Sequence, residues 1–445
     1  MADRLLLSDW QRSESRVFHF VGRDFDSATG LVSLRYELDG VPLEERVTLP
    51  ASAGSPAAES AIGAALDLLH WTVAVSYWKA GCPDELRFSS NRPDAWQADW
   101  LNRLYRCGLA EFAHRNRLDS DAWPLFEGVE RPTPTPVKVG LRRRSLVPMG
   151  GGKDSLVAWA RLQQAGDQPD SVQIGGSALI RQIGAALPGR HWEISRVLDP
   201  TLARLNARGA WNGHVPVTAI NSAILTLAAL VLDFDRVSFA NERSADEASL
   251  IDERGRPINH QFSKSFEFEL MFDQWVHRYL AADLHVFSIL RRDRELAICR
   301  EFAHLDDFHA LFSSCNRNFH LDGPRTARWC GECPKCHFVF LCLAPFMSPE
   351  RLVAIFGRNL LAEEEQVGGF SQLLALDGIK PFECVGEADE ARASVLALAQ
   401  DPRWSDHHVV KALLPRLAGL AVPTLESLCQ PHGPSLIPEE WQHAA

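Results

Sequence analysis

Apolar and polar residues alternate in short runs near the start of the chain, and turn residues separate these runs. Residues 17–20 and 31–34 show this alternation, which is typical of an antiparallel sheet. Apolar residues then recur at helical spacing over residues 57–79 and 95–115, which predicts two long helical stretches. We therefore predict an α+β accessory domain over residues 1–127.

A proline-rich stretch follows this region. Pro132, Pro134 and Pro136 alternate with threonine, a pattern that favours an extended connector over a helix or a strand. We predict a linker over residues 128–140.

Strand-like and helix-like segments alternate after the linker. In chain order the predicted segments are strand 145–149, helix 155–164, strand 171–174, helix 178–186, strand 192–197, helix 217–232 and strand 236–240. This alternation implies a parallel sheet with helices on both faces. We predict an α/β, doubly wound parallel domain over residues 141–348 and a mainly helical region over residues 349–445.

Composition and charge argue against several classes of protein. Hydrophobic residues make up 46% of the chain and charged residues 23%, as in a folded enzyme and unlike a disordered or fibrous chain. The net charge of -11 argues against a protein that binds nucleic acid over a broad surface. The first residues lack a signal-peptide pattern, and the longest apolar stretch, residues 219–234, is too short and too polar to cross a bilayer. We expect a cytoplasmic protein without a membrane or nucleic-acid partner, and the sequence predicts no oligomeric state.

A glycine-rich loop follows the first strand of the predicted parallel sheet. It reads Gly150-Gly151-Gly152-Lys153-Asp154-Ser155 and precedes a helix. Glycine lets the backbone approach a phosphate, and a helix N-terminus attracts negative charge, while the carboxylate of Asp154 is a candidate ligand for Mg²⁺. Gly175 ends the next strand and is a candidate neighbour of the nucleotide. The alternative for both loops is an ordinary turn, capped in the first by Asp154 or Ser155.

The order of residues in this loop differs from that of a Walker loop, because Lys153 is followed by Asp154 and the upstream glycine is missing. The loop resembles the PP-loop of ATP pyrophosphatases, in which a serine, two glycines, any residue, an aspartate and a serine follow one another. Gly150 stands where that pattern has its first serine. The resemblance implies that this loop binds ATP and Mg²⁺ and that ATP is split into AMP and pyrophosphate.

Four of the ten cysteines lie close together in the sequence. Cys330, Cys333 and Cys336 form a tight run, and Cys315 lies upstream of it. Four thiolates at such spacing suit a closed, tetrahedral structural Zn²⁺ site. Unmetallated thiols and an iron-sulfur cluster are the alternatives. A similar run of cysteines occurs in the PP-loop family that makes the nitrile precursor of queuosine, and this resemblance favours zinc.

Two polar segments lie between the glycine-rich loop and the clustered cysteines in the sequence. Asn241-Glu242-Arg243-Ser244 follows the strand 236–240 directly, and residues 259–265, which include His260 and Lys264, precede a predicted amphipathic helix over residues 266–280. Sites in this architecture form at the carboxyl ends of strands. A capped turn and a solvated helix start are the alternatives.

Three segments, residues 239–245, 259–269 and 329–336, resemble the UDP-N-acetylmuramoyl-L-alanyl-L-glutamate epimerase family of the MurL type, and the resemblance extends over most of the chain. It implies an ATP- and Mg²⁺-dependent inversion of the terminal L-glutamate of a nucleotide-sugar peptide to D-glutamate. AMP and pyrophosphate would be released in the synthesis of a peptidoglycan precursor.

Adenylation suits such an inversion, because it removes the carboxylate charge that makes the neighbouring Cα proton hard to abstract. We expect a base drawn from His260, Lys264 or Glu242 to take that proton, and the adenylated N-acyl amino acid also has the atoms needed to close to an oxazolone. The candidate substrate-binding residues are Asn241, Arg243, Ser244, Arg317, Arg325 and Arg328.

Two other functions compete with this interpretation. A PP-loop enzyme that adenylates a base carbonyl of tRNA would want a broad basic face, whereas residues 142–144 are the one basic run. The second competing function is a nucleotide- or metal-binding module without catalytic activity. The presence of Asp154 and Ser155 in the PP-loop pattern argues against it.

Overall fold

The strands belong to two sheets in the part of the chain that the structure describes. The computed structural model describes residues 7–51, 57, 59–89, 91–124, 126–132, 134–135, 137–248, 250–319, 328–376, 383 and 385–442. Its strands are β1 (Val17–Asp26), β2 (Leu31–Leu38), β3 (Val41–Thr48), β4 (Glu85–Phe88), β5 (Ser145–Pro148), β6 (Asp170–Ile174), β7 (His191–Val197), β8 (Arg236–Phe239), β9 (Leu250–Ile251), β10 (Pro257–Ile258) and β11 (His285–Ser288). Within these residues β9 and β10 form a small hairpin, and the other nine strands form one sheet in the order β11-β8-β5-β6-β7-β3-β2-β1-β4.

The first three strands form the antiparallel meander that their alternating pattern predicts. β2 pairs with both β1 and β3 in antiparallel register. Alternate side chains such as Phe18 and Phe20 are buried, because successive residues of a strand point to opposite faces of the sheet. The parallel strand β4 extends the edge beside β1 and was not predicted.

The central strands β7, β6, β5, β8 and β11 run parallel to one another. All four residues of β8 are buried, as expected for a strand that is covered on both faces. In the sheet, β6 and then β7 lie on one side of β5, and β8 and then β11 lie on its other side. The strand order therefore reverses between β5 and β8, and open parallel sheets usually bind ligands outside the carboxyl ends of the strands at such a point.

The meander joins the parallel strands through β3 and β7, which pair antiparallel over residues 46–48 and 195–197. Arg196 donates from Nε to Oε1 of the fully buried Glu45 at 2.6 Å beside this junction. Residues on both sides of the predicted linker thus share one sheet and one hydrophobic core. The domain boundaries stay predictions.

Helices cover both faces of the parallel strands and make up most of the C-terminal region. They are α1 (Glu59–Val73), α2 (Val75–Trp78), α3 (Ala95–Gly108), α4 (Ala110–Asn116), α5 (Lys153–Gln164), α6 (Ala178–Ala186), α7 (Thr201–Ala207), α8 (Val217–Leu232), α9 (Phe266–Trp275), α10 (Glu295–Phe302), α11 (Pro334–Leu343), α12 (Pro349–Phe356), α13 (Val367–Leu373), α14 (Ala388–Gln400), α15 (His408–Leu413) and α16 (Leu425–Leu428). The mixed α/β fold with a large, mostly parallel sheet and a helical C-terminal region is as predicted.

Some predicted bounds were wrong. The helix predicted from residue 155 begins at Lys153, because Gly152 is extended and stands at its N-cap. The helix predicted over 266–280 ends at Trp275 and continues as a π-helical turn. Among the helices of the described residues, none has the length and apolar character that crossing a membrane requires.

Candidate active site

The glycine-rich loop lies between β5 and α5, as the sequence predicts. Gly151 has a φ of +84°, which favours glycine over residues with a side chain. A Cβ atom added at Gly152 would lie 2.6 Å from Oγ of Ser314, so a side chain here would require Ser314 to move. The N-cap of α5 is Gly152, without a side-chain cap. Neither Asp154 nor Ser155 is the capping residue, which leaves the first amides of α5 without that side-chain partner.

Lys153 and Asp154 begin α5 within a buried network of charges. The ammonium group of Lys153 contacts the carboxylates of both Asp154 and Glu295. Nζ of Lys335 lies 3.6 Å from Oε1 of Glu295. Burial opposes a charge on Lys153, but the two carboxylates outweigh it and raise its pKa well above the ordinary value. Burial likewise opposes ionisation of Glu295, and the two lysines outweigh it and lower its pKa.

Glu242 follows β8 and faces the same network from the neighbouring strand. Burial is the main cause that raises the pKa of Glu242 to about 7, and the negative charge of Glu295 adds to it, whereas Lys264 opposes the shift. Asp154 also raises this pKa. The structure therefore brings together residues from three predicted segments, namely Asp154, Glu242 and Lys264.

Arg291, which the sequence analysis did not single out, fixes the backbone of the two polar segments. This buried side chain donates to the carbonyl of Glu242 at 3.1 Å and to the carbonyl of Lys264 at 2.7 Å. It also donates to Oε2 of Glu269 at 2.9 and 2.7 Å. No local pattern marked it, because Arg291 begins the charged run 291–295 and its partners come from distant segments; a buried arginine must nevertheless be paired.

The other residues after β8 form hydrogen bonds with neighbouring segments. The carbonyl of Asn241 accepts a hydrogen bond from Ser288 Oγ at 2.7 Å, and the amide of Arg243 donates to the carbonyl of Asp293 at 2.7 Å. Ser244 donates from Oγ to Oε2 of Glu390 at 3.0 Å. The helical C-terminal region thus contacts the loop after β8.

His260 lies beside a second histidine that the sequence analysis missed. The ring centroids of His214 and His260 are 6.4 Å apart in an edge-to-face arrangement. Burial is the main cause that lowers the pKa of His214 to about 4, and His260, Lys79 and Lys264 add to it. No local sequence motif marks His214, because its neighbours come from distant segments.

Gly175 ends β6 with a φ of +94°, one strand away from the glycine-rich loop. Its amide donates to the carbonyl of Ile194 at 2.8 Å, and its carbonyl accepts from Nε2 of Gln173 at 2.8 Å. Gly175 therefore stands at the carboxyl edge of the parallel strands, and these two hydrogen bonds run to the neighbouring strand and within its own.

The four clustered cysteines meet in space and form a group that can bind a metal ion. Their Sγ atoms all lie within 4.8 Å of one another. The Sγ atom of Cys336 lies 3.4 Å from that of Cys333 and 3.7 Å from that of Cys330. This group touches the glycine-rich loop through a neighbour of Cys315, since the amide of Ser313 donates to the carbonyl of Gly151 at 2.8 Å.

The predicted basic loop beside the cysteines is only partly described. Arg317 pairs with Glu332 at 2.6 Å, and the guanidinium group of Arg328 contacts the carbonyl of Leu311. Arg325 lies outside the described residues.

Comparison with known proteins gives matches over nearly the whole chain. The model of the MurL N-terminal domain matches residues 9–289, and that of the MurL C-terminal domain matches residues 311–427. The UDP-N-acetyl-alpha-D-muramoyl-L-alanyl-L-glutamate epimerase of Xanthomonas oryzae pv. oryzae is 46% identical, over 92% of this chain and 91% of that protein. Epimerases of the same name from a Micromonospora species and from Salinispora tropica are 39% and 37% identical, each over 96% of this chain and over 97% and 95% of their own lengths.

Proposed function

The chain belongs to the MurL family, and on that premise we propose that it inverts the terminal L-glutamate of UDP-N-acetylmuramoyl-L-alanyl-L-glutamate to D-glutamate at the expense of ATP. The matches to epimerases over more than nine-tenths of the chain support an epimerase that acts on a nucleotide-sugar peptide. The proposal also includes adenylation of the substrate at a PP-loop, bound Mg²⁺ and Zn²⁺, and a cytoplasmic location.

The proposal that the protein binds ATP rests on the position of the glycine-rich loop, which lies where the strand order of the sheet reverses. Open parallel sheets bind ligands at such a point, and the start of α5 offers backbone amides and a partial positive charge to a phosphate. Gly152 at the N-cap brings no side chain that would fill this place. We assign residues 150–155 to the phosphates of ATP and Gly175 to the adenosine.

Mg²⁺ would be held against the pyrophosphate by Asp154. Carboxylate oxygens are the ligands that Mg²⁺ prefers, together with phosphate oxygens. Glu242 interacts electrostatically with both Asp154 and Glu295, since each of these carboxylates raises its pKa. Mg²⁺ bound there would offset their negative charge and the charge that develops on the leaving pyrophosphate.

The reaction would proceed through an acyl adenylate. A glutamate carboxylate oxygen attacks the α-phosphorus of ATP, and the bond to pyrophosphate breaks. The acyl adenylate then loses its Cα proton to a base, the electron pair moves into the carbonyl group, and a proton returns on the opposite face. Water finally releases AMP and the D-glutamate product.

Glu242, Lys264 and His260 are the proposed groups for proton transfer. A carboxyl group whose pKa is about 7 is suited to exchange protons near neutral pH. Arg291 holds the backbone of Glu242 and Lys264, so the two side chains start from fixed positions. Substrate contacts are assigned to Asn241, Arg243, Ser244, Arg317, Arg325 and Arg328.

Zn²⁺ is the metal that fits the cysteine group. Tetrahedral coordination with Zn–S bonds of about 2.3 Å separates the sulfur atoms by roughly 3.8 Å, close to the observed 3.4 and 3.7 Å. An iron-sulfur cluster would place several iron and sulfide atoms between the thiolates, and a span of 4.8 Å leaves no room for them. Zn²⁺ would fasten the chain at Cys315 near the glycine-rich loop.

Chiral analysis of the product tests the function. The purified chain, ATP, Mg²⁺ and UDP-N-acetylmuramoyl-L-alanyl-L-glutamate should give product that releases D-glutamate on acid hydrolysis. Mixtures without ATP should keep L-glutamate. D-glutamate formed equally without ATP would contradict the adenylation step, and L-glutamate in every mixture would contradict the epimerase.

A further inference from the structure

His214 lies at the carboxyl edge of the parallel sheet, although it belongs to the connection between β7 and α8. A helix that joins parallel strands runs antiparallel to them, so the start of α8 lies beside the carboxyl ends of the strands. The loop before α8 is held in place by the N-terminal region. Trp211 donates from its amide to the carbonyl of Ala80 at 2.9 Å, and Nζ of Lys79 donates to the carbonyl of Gly213 at 2.9 Å.

A buried carboxylate faces the imidazole of His214. Nδ1 of His214 lies 3.5 Å from Oε2 of Glu111, while Arg115 holds the other carboxylate oxygen at 2.6 Å. The side chain of Glu111 is 8% exposed and that of His214 is 25% exposed. A carboxylate this close to one ring nitrogen favours one orientation of the ring, in which the other nitrogen can face a ligand.

His214 and His260 lie close enough to act on one bound substrate. Their ring centroids are 6.4 Å apart in an edge-to-face arrangement, and proton transfer at a carbon atom places each reacting nitrogen about 3 Å from that carbon. Burial is the main cause that lowers the pKa of His214 to about 4, and His260, Lys79 and Lys264 add to it, so the imidazole is neutral at physiological pH.

We propose that His214 is a second proton-transfer residue of the inversion, opposite His260, and that Glu111 of α4 positions it. This assignment rests on the proposed function. In one direction His214 takes the Cα proton of the acyl adenylate, the electron pair of the C–H bond moves into the carbonyl group, and His260 returns a proton to the other face. Exchange with water restores both imidazoles, so no proton is gained or lost overall. In this arrangement the N-terminal region completes the site.

The test compares His214→Asn, Glu111→Gln and a control, His277→Asn, in the full chain. His277 pairs with Asp273 in the turn that ends α9, at the opposite edge of the sheet. Each protein is given ATP, Mg²⁺ and either the L-glutamate or the D-glutamate epimer in deuterated water. AMP, inverted product and deuterium at Cα are measured separately.

His214→Asn should lower inversion by about 100-fold or more while AMP formation stays within about threefold of the parent chain. One of the two epimers should still exchange its Cα proton, because the opposite base remains. Glu111→Gln should keep AMP formation and move the acidic limb of the inversion profile to lower pH, since an imidazolium without its carboxylate loses its proton more readily. His277→Asn should behave as the parent.

Inversion within about threefold of the parent in His214→Asn would overturn the assignment. A pH profile that is unmoved in Glu111→Gln would overturn it as well, and this holds even where His214→Asn fails to fold. A parent chain that neither inverts nor exchanges either epimer would overturn the proposed function itself, and the assignment with it.

Discussion

The ammonium group of Lys153, the first residue of α5, contacts the carboxylate of Glu295, the first residue of α10, and both side chains are buried. This pair joins the glycine-rich loop to the start of a helix that follows β11. Lys335, which lies between two of the clustered cysteines in the sequence, approaches the same carboxylate. Glu295 thus links the proposed phosphate site to the cysteine group.

Removing the charge of Glu295 should destabilise the protein. Glu295→Gln leaves two buried lysines facing a neutral amide, so we expect the free energy of unfolding to fall by about 3 kcal/mol in urea denaturation. The control is Glu193→Gln, which removes one partner of the exposed pair with Arg181 and should cost about 1 kcal/mol or less. Equal losses in the two variants would contradict this role of Glu295.

The raised pKa of Glu242 should make stability depend on pH. Folding raises this pKa from 4.5 to about 7, so between these values the folded chain holds a proton that the unfolded chain has lost. Stability from this residue is therefore present at low pH and is lost as pH rises toward 7. In the nucleotide-free protein, Glu242→Gln should reduce the decline between about pH 5 and about pH 7 by on the order of 2 kcal/mol. An unchanged decline would contradict the assignment.

Local signals predicted much of the fold but little of the pairing within the site. The bounds of α6 and α8 agree with prediction, because helical spacing and flanking turn residues lie within the segment itself. The carboxyl-edge position of Glu242 followed from strand order. Glu295 and Arg291 could not be recognised, because their partners are distant in sequence and only the folded chain brings them together.

Limits of local sequence also explain why the strand β11 and the role of His214 were not predicted. β11 spans only four residues, and so short an apolar run does not distinguish a strand from a helix. His214 lies in an irregular loop whose neighbours come from α4 and from the segment before α9. Cys315 was predicted correctly as the fourth member of its group, since thiol chemistry limits the partners of a tight cysteine run.

Metal analysis should find close to one zinc atom per chain. Cys333→Ser and Cys336→Ser should lose the metal and unfold at lower temperature, because structural zinc contributes to folding free energy. The control is Cys107→Ser, which changes a free thiol elsewhere and should keep the metal. Iron with acid-labile sulfide, or a purified chain without metal, would contradict the zinc assignment.

Asp154→Asn should weaken the response to Mg²⁺. A neutral amide binds Mg²⁺ less well than a carboxylate, so we expect the Mg²⁺ concentration for half-maximal AMP formation to rise about tenfold or more, from the loss of roughly 1.4 kcal/mol or more of binding free energy. Asp167→Asn changes an aspartate just beyond the far end of α5 and should leave the response unchanged. An equal response in both variants would remove Asp154 from the Mg²⁺ site.

Deuterium incorporation tests the central claim most directly. The chain is incubated in deuterated water with ATP, Mg²⁺ and UDP-N-acetylmuramoyl-L-alanyl-L-glutamate, and AMP, pyrophosphate and deuterium at the glutamate Cα are followed together. The proposed function predicts substrate-dependent AMP and pyrophosphate and D-glutamate that carries deuterium at Cα. AMP formation without deuterium at Cα, or inversion without AMP, would contradict it.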